Sequence, residues 1–239
     1  MYNNFIFDLY GTLIDIYTNE TKPYLWKKLS LWYSLKGAPY TPSALKSRYY
    51  ILCEDLEKEA KKKTGREFPE IKIEEIFYLM FTEYQLEDAA QLAKTTAQIF
   101  RTMSIEKLSL ISGVLKTLEA LKKSGRKIYL LSNAQRVFTE PEIYLFSLNN
   151  YFDGILYSSD VGVKKPSLEF FQTLFTIYQL NKEESVMIGN DFDCDIIGAT
   201  KFGIDSIYFY TGEFSKSFGR LPQRCKCIQK IEDVLNYLA

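Results

Sequence analysis

The sequence of 239 residues contains no histidine. That absence removes imidazole-activated nucleophiles and most zinc sites together, and leaves carboxylates, lysine, tyrosine and hydroxyl side chains to carry any chemistry. An excess of either charge is also missing, because 30 Lys and Arg balance 30 Asp and Glu. No overall field therefore draws in nucleic acid or an anionic membrane, and an anionic ligand has to be caught by local groups. Cysteine is sparse: Cys53, Cys194, Cys225 and Cys227 show neither disulfide-framework nor C-x-x-C spacing. Cys225 and Cys227 read as reduced thiols on a strand rather than as a metal site. No apolar run reaches the length of a membrane-spanning helix, and Met1 to Asn4 do not open a signal peptide, so a cytoplasmic protein is the expectation. Internal repeats and low-complexity stretches are absent as well.

What is present is 46% hydrophobic content, enough for a sizeable core in one large domain or two modest ones. The first apolar run, Phe5-Ile6-Phe7-Asp8-Leu9-Tyr10-Gly11-Thr12-Leu13, has the texture of a buried strand that stops at a breaker, Gly11. Asp8 then sits where a strand becomes a loop. In an open α/β sheet the carboxyl ends of strands form the ligand crevice, so a strand-terminal Asp there reads as a reactive group. The plainer alternative is a turn-capping Asp.

Beyond Leu13 the pattern turns helical and stays so to about residue 105. Leu25, Leu29, Trp32 and Lys36, with Trp26 and Tyr33, recur at helical spacing until Gly37. Thr41 and Pro42 supply an N-cap and a first-turn proline for a helix through Leu45, Tyr49, Leu52 and Leu56 to Gly65. Two further helices are expected at about 73–86 and 87–107. Their aromatic stripe is read as packing between antiparallel helices and the run Lys58 to Lys63 as a solvated helix end. From Ser112 strands alternate with helices: a helix 113–124, a strand 127–131 ending in Ser132-Asn133, a helix 141–148, a strand 155–157 and a loop 161–166. A helix 167–178, a strand 185–188 ending in Gly189-Asn190-Asp191, a helix 195–202, a strand 205–210 and a closing helix 231–238 follow. Such alternation predicts right-handed βαβ units in a doubly wound parallel α/β sheet. The expected organisation is a core made of 1–14 and 106–239, interrupted by an all-helical domain at 15–105.

Asp8, Ser132-Asn133, Lys165 and the Asn190-Asp191-Asp193-Asp195 segment all fall at or just past predicted strand ends, so they converge on one crevice. This arrangement resembles the haloacid dehalogenase superfamily, hydrolases with a Rossmann-like core and a helical cap inserted after the first strand. The resemblance covers nearly the whole chain, with four motifs in order. Asp8-Leu9-Tyr10-Gly11-Thr12-Leu13 matches the DxYGTL form of the first motif, which implies Asp8 as a nucleophile oriented by Thr12. Leu130-Leu131-Ser132-Asn133 matches the second, implying that Ser132 and Asn133 hold a substrate oxyanion. Lys165-Pro166 matches the third, a cation between anionic nucleophile and anionic substrate. Gly189-Asn190-Asp191-Phe192-Asp193-Cys194-Asp195 matches the acidic fourth. Mg²⁺ is the implied cofactor, bound by Asp8, the main-chain carbonyl of Tyr10, Asn190, Asp191 and Asp195.

Two positions depart from the family's phosphatases. Tyr10 stands where they carry a second Asp as general acid and base, and Asn190 stands where the fourth motif usually has its first Asp. The DxYGTL form looks like the 2-haloacid dehalogenases, whose leaving halide needs no proton. Against that, their early-cap Trp-Arg pair corresponds to Trp26-Lys27, and the Tyr six residues after the third-motif Lys corresponds to Phe171. Lys27 is nonetheless a candidate substrate contact. The expectation is Mg²⁺-dependent hydrolysis of a small phosphorylated metabolite, with Tyr10 replaced as proton donor by another group. The alternatives are a metal-independent 2-haloacid dehalogenase and a catalytically weakened protein that binds a phosphorylated ligand.

Overall fold

A computed structural model describes residues 1–212 and 220–238. The strands β1 (Asn4–Phe7), β2 (Ile14–Thr18), β3 (Ile105–Leu110), β4 (Lys127–Ser132), β5 (Gly154–Tyr157), β6 (Ser185–Gly189), β7 (Asp205–Phe209) and β8 (Cys225–Ile228) form two sheets. The larger has the order β5-β4-β1-β6-β7-β8, and its neighbours pair in parallel. The chain runs outward from β1 through β4 to β5, then returns to β6 on the other side of β1. That reversal is the switch point at which an open α/β sheet opens a crevice at its carboxyl edge. β1 is buried throughout, as its unbroken apolar character requires for a central strand covered on both faces.

Between β2 and β3 lie α1 (Pro23–Leu35), α2 (Pro42–Thr64), α3 (Ile73–Thr82) and α4 (Ala89–Ser104). They bury Leu25, Trp26, Tyr33, Tyr49, Phe77 and Phe100 in a shared cluster. Local chemistry sets the ends of α2. Thr41 Oγ1 accepts the Ala44 N–H at 3.2 Å, and Gly65 closes the helix with φ +68°. Thr41→Ala is expected to cost about 1 kcal/mol, read as a lower urea midpoint with an unchanged slope.

The insert is not all helix. β2 and β3 pair antiparallel, Ile14 opposite Leu110 and Ile16 opposite Leu108, so a two-stranded ribbon stands at the two ends of the helical segment. Segments of five and six residues carry a weak strand pattern, and these two are separated in sequence by four helices. Helix α4 stops at Ser104, where β3 begins, short of the expected 107, and α3 ends at Thr82, short of the expected 86.

Other elements of the core are α5 (Val114–Lys123), α6 (Arg136–Leu145), α7 (Ser158–Val161), α8 (Leu168–Tyr178) and α9 (Gly198–Phe202). Helix α6 begins at Arg136, whose N–H donates to Ser159 Oγ at 2.9 Å, and not at Pro141, which lies inside it. The segment expected as a helix from 195 starts earlier, as a wide π-helical turn at Phe192–Ile197, because Asp191 captures its first N–H groups. The closing helix is a 3₁₀ turn, Ile231–Tyr237. Strand β8 is the one on which Cys225 and Cys227 are expected, and it adds an edge to the sheet beyond the strand–helix alternation.

Candidate active site

Three strand ends meet at the switch point. Asp8 follows β1 and extends its ladder, its N–H donating to the Ile188 carbonyl at 2.9 Å. Ser132 ends β4 and is buried; Gly189 ends β6. Into this corner Lys165 inserts from the loop before α8, with 2% of its surface exposed. Its ammonium group donates to Asp8 Oδ1 at 2.6 Å, Asp195 Oδ1 at 2.7 Å and the Leu131 carbonyl at 2.7 Å. All three ammonium donors are thus satisfied. Burial works against the charge on Lys165, but the Asp195 and Asp8 carboxylates outweigh it and raise its pKa above the ordinary lysine value.

Asp195 is fully buried, and its Oδ2 accepts the Asp191 N–H at 2.9 Å. Burial and the nearby Asp8 anion push its carboxyl up, to about 7, while Lys165 and the Asp191 N–H oppose the rise. Asp191 itself is exposed, and its Oδ1 accepts the N–H groups of Asp193 and Cys194 at 3.0 and 2.9 Å. The acids of the fourth motif therefore do not gather as a carboxylate cluster. Asp191 caps a helical turn and Asp195 pairs with Lys165; among the described residues no three acidic or thiol side chains are placed to hold a metal ion.

Thr12 is buried and donates from Oγ1 to Asn190 Oδ1 at 3.1 Å. Gly11 (φ +83°) makes room for that contact, since a Cβ there would lie 2.3 Å from Asn190 Nδ2. Asn190 is thereby packed against the turn after Asp8. The oxygens offered at this turn, the Asp8 carboxylate, the Tyr10 main-chain carbonyl and Asn190 Oδ1, have the hard character that Mg²⁺ takes alongside retained waters.

Two expected substrate contacts are placed differently from each other. The Asn133 side-chain amide is engaged with the lysine loop, Nδ2 donating to the Lys165 carbonyl at 3.0 Å and Oδ1 accepting the Lys165 N–H at 2.7 Å. Lys27 lies on the exposed face of α1, turned away from its buried neighbour Trp26, and has no hydrogen bond or ion pair with Asp8, Ser132 or Lys165.

Tyr10 holds the feature that the motifs did not reveal. Its hydroxyl donates to Glu142 Oε2 at 2.6 Å and lies 2.9 Å from Thr139 Oγ1, both on α6. Arg101, from α4, donates from Nε to Glu142 Oε1 at 2.6 Å, and its guanidinium stands 5.3 Å from the centroids of both the Tyr10 and Phe138 rings. Burial, then the Glu142 charge, raise the Tyr10 pKa far above the ordinary value despite Arg101. A hydroxyl so held is neither a base nor a ready proton donor. Tyr10→Phe is expected to lower stability by about 2 kcal/mol, as loss of a bond to a buried carboxylate does, or roughly 4–8 °C in Tm. Turnover should fall by less than about tenfold, below the range in which a general acid or base acts. Nothing in the sequence links Arg101 to Tyr10, because the two are 91 positions apart and lie on different elements.

The family model for haloacid dehalogenase-like hydrolases matches residues 41–209. Among curated proteins, the glyceraldehyde 3-phosphate phosphatase of Pyrococcus furiosus is 27% identical over 106 residues, 44% of this chain and 44% of that protein. The ribulose-1,5-bisphosphate 5-phosphatase of Halopiger xanaduensis is 29% identical over 111 residues, 46% of each. The matched stretch thus spans a little under half the length of these relatives. Among solved structures, a 2-haloacid dehalogenase from Pseudomonas syringae pv. Tomato DC3000 superposes with a TM-score of 0.67 at 20% identity, covering 99% of this chain and 97% of that one. At that identity the superposition establishes the shared fold. With the match to the family model extending over most of its length, the chain belongs to the haloacid dehalogenase-like hydrolases.

Proposed function

We propose that the protein is a Mg²⁺-dependent phosphohydrolase of a small phosphorylated metabolite, with Asp8 as nucleophile, and that the four-helix insert caps its site. The observation that carries the reading is the Lys165 ammonium fixed between Asp8 and Asp195. It holds one oxygen of Asp8, leaves the other for attack, and sets a cation where an incoming phosphate would otherwise meet an anion. The phosphatase names of the curated relatives support the same reading. A cytoplasmic setting fits the four free thiols, and among the described residues no helix is long and apolar enough to cross a membrane.

In this mechanism Asp8 attacks phosphorus, the bond from phosphorus to the ester oxygen breaks, and the alcohol leaves with a proton taken from water or from the substrate itself. Water then attacks the phosphorus of the aspartyl phosphate, returning inorganic phosphate and the Asp8 carboxylate. Thr12 and Asn190 fix the turn that aims Asp8, Asn133 fixes the backbone of Lys165, and Ser132 is the candidate to hold a phosphate oxygen. A Mg²⁺ ion held by Asp8, the Tyr10 carbonyl and Asn190 would supply positive charge to the phosphate oxygens.

Dehalogenation is the competing reading, favoured by Tyr10 in place of an acid. Against it, Phe171 is buried against the Phe202 ring and offers no hydroxyl, and Lys27 is turned to the surface. Phosphate release from a panel of phosphomonoesters and halide release from 2-chloropropionate, each with Mg²⁺ and with a chelator, separate the two. Phosphate release that a chelator lowers by about a hundredfold or more is expected, on the several-kcal/mol scale of metal charge stabilisation. Halide release in chelator with no phosphate release would replace this reading by the other.

A further inference from the structure

A cavity of about 310 Å³ opens beside the strand ends, lined by Tyr10, Asn133 and Gln135 from the core and by Arg101 and Glu70 from the helical insert. Its volume suits a small metabolite. Arg101 is 14% exposed, and its two ring neighbours, Tyr10 and Phe138, shield the guanidinium from bulk water. Glu142 occupies one edge of the fork, taking Nε at 2.6 Å and Nη2 at 3.3 Å. A guanidinium has five N–H donors, so the end-on edge, Nη1 with the second N–H of Nη2, is left without a carboxylate partner. The other nearby acid, Glu20, keeps its carboxyl pKa raised by burial in spite of Arg101 and forms no ion pair with it. Such a rigid, half-satisfied fork costs little entropy to bind an anion, and planar bidentate capture of oxygens is what arginine does best.

We propose that Arg101 is a specificity-determining residue that binds a second anionic group, carboxylate or phosphate, on the part of the substrate that leaves. The proposal deepens the phosphatase reading, on which it rests for the end of the substrate that meets Asp8. Glu142 and Tyr10 act as positioning residues: they hold the other edge of the fork, while Arg101 itself lines the cavity. Glu70, which accepts from Ser158 Oγ at 2.7 Å, is the acid on the cavity wall and suits a hydroxyl between the two anionic ends.

The test is calorimetric binding of non-hydrolysable probes at constant Mg²⁺: 3-phosphonopropionate and propane-1,3-diphosphonate against propylphosphonate, which has the same chain and lacks the second anion. At least one of the two doubly anionic probes should bind wild type about tenfold or more tighter than propylphosphonate, the scale of a charge-assisted contact. Arg101→Met should remove that preference while changing the affinity for propylphosphonate less than threefold, and Arg101→Lys should restore part of it. Arg101→Met/Glu142→Gln removes both charges and keeps the test open where the single variant does not fold; it too should lose the preference. Wild type that binds all three probes alike or binds neither doubly anionic probe, or a preference that survives loss of Arg101, overturns the proposal. No turnover is needed, so a failed phosphatase reading shows in the phosphate-release assay, whereas a failed role for Arg101 shows in the affinity ratio.

Discussion

Lys165→Met is expected to destabilise the protein by about 3–5 kcal/mol, the cost of leaving buried charge without its partner, or roughly 6–20 °C in Tm. The side chain makes three short bonds at 2.6, 2.7 and 2.7 Å, two of them to carboxylates that approach each other only because the ammonium lies between them. Methionine fills the space but neutralises nothing. The loss should depend on pH, with a sign fixed by the direction of the shifts. Burial already lifts the Asp195 carboxyl with the lysine in place, and removing the cation raises it further. The folded variant then binds protons more tightly than the unfolded chain, so its stability rises as pH falls and its deficit against wild type is largest above neutrality. Urea unfolding at pH 8 and pH 5.5 checks this, the deficit at pH 8 being the larger. A second change, Asp195→Asn, should recover part of the loss because it removes one of the two stranded charges. Equal deficits at both pH values, with no rescue, would mean that Lys165 acts through packing alone.

Asp8→Asn should lower turnover by about a thousandfold or more, the scale on which loss of a covalent nucleophile acts, with the circular dichroism spectrum of the folded protein retained. The amide keeps an oxygen for the Lys165 ammonium, which also retains Asp195 and the Leu131 carbonyl, so the corner stays closed. It lacks the carboxylate charge that attacks phosphorus. Phosphate release per mole of enzyme reads the outcome. Turnover within tenfold of wild type would remove Asp8 from the nucleophile's role. Tyr10→Phe forms the contrast: loss of its hydroxyl should show in stability first.

The parts of the fold legible in the sequence are those with local causes. Thr41, Pro42 and Gly65 mark the ends of α2 because a cap, a fixed φ and a left-handed residue act within one turn of chain. The apolar runs of β1, β4 and β6 mark strands buried on both faces, and the residues that close them, Asp8, Ser132-Asn133 and Gly189, mark the crevice. The ribbon of β2 and β3 was hidden because neither segment is a strand until the other is beside it. The same division runs through the site. Asp8 and Lys165 could be placed at strand ends from pattern and resemblance, and the structure brings them into contact. Closeness in sequence makes Asp191 and Asp195 look like one cluster. The cap geometry that turns Asp191 outward, and the lysine that takes Asp195, exist only in three dimensions. Arg101, Glu142 and Tyr10 come from three elements, and no spacing rule connects them.

The most direct test of the account is thermal unfolding with Mg²⁺ alone, with beryllium fluoride alone and with both, for wild type and for Asp8→Asn. Beryllium fluoride stands in for a phosphoryl group on an Asp carboxylate and needs no knowledge of the substrate. A ligand bound only by the folded state stabilises it by about 2.7 kcal/mol at a hundred times its Kd, or roughly 5–11 °C for a chain of this size. A shift of this order that requires both components and vanishes in Asp8→Asn is expected. No shift with both components, or an equal shift in Asp8→Asn, would contradict phosphoryl transfer to Asp8.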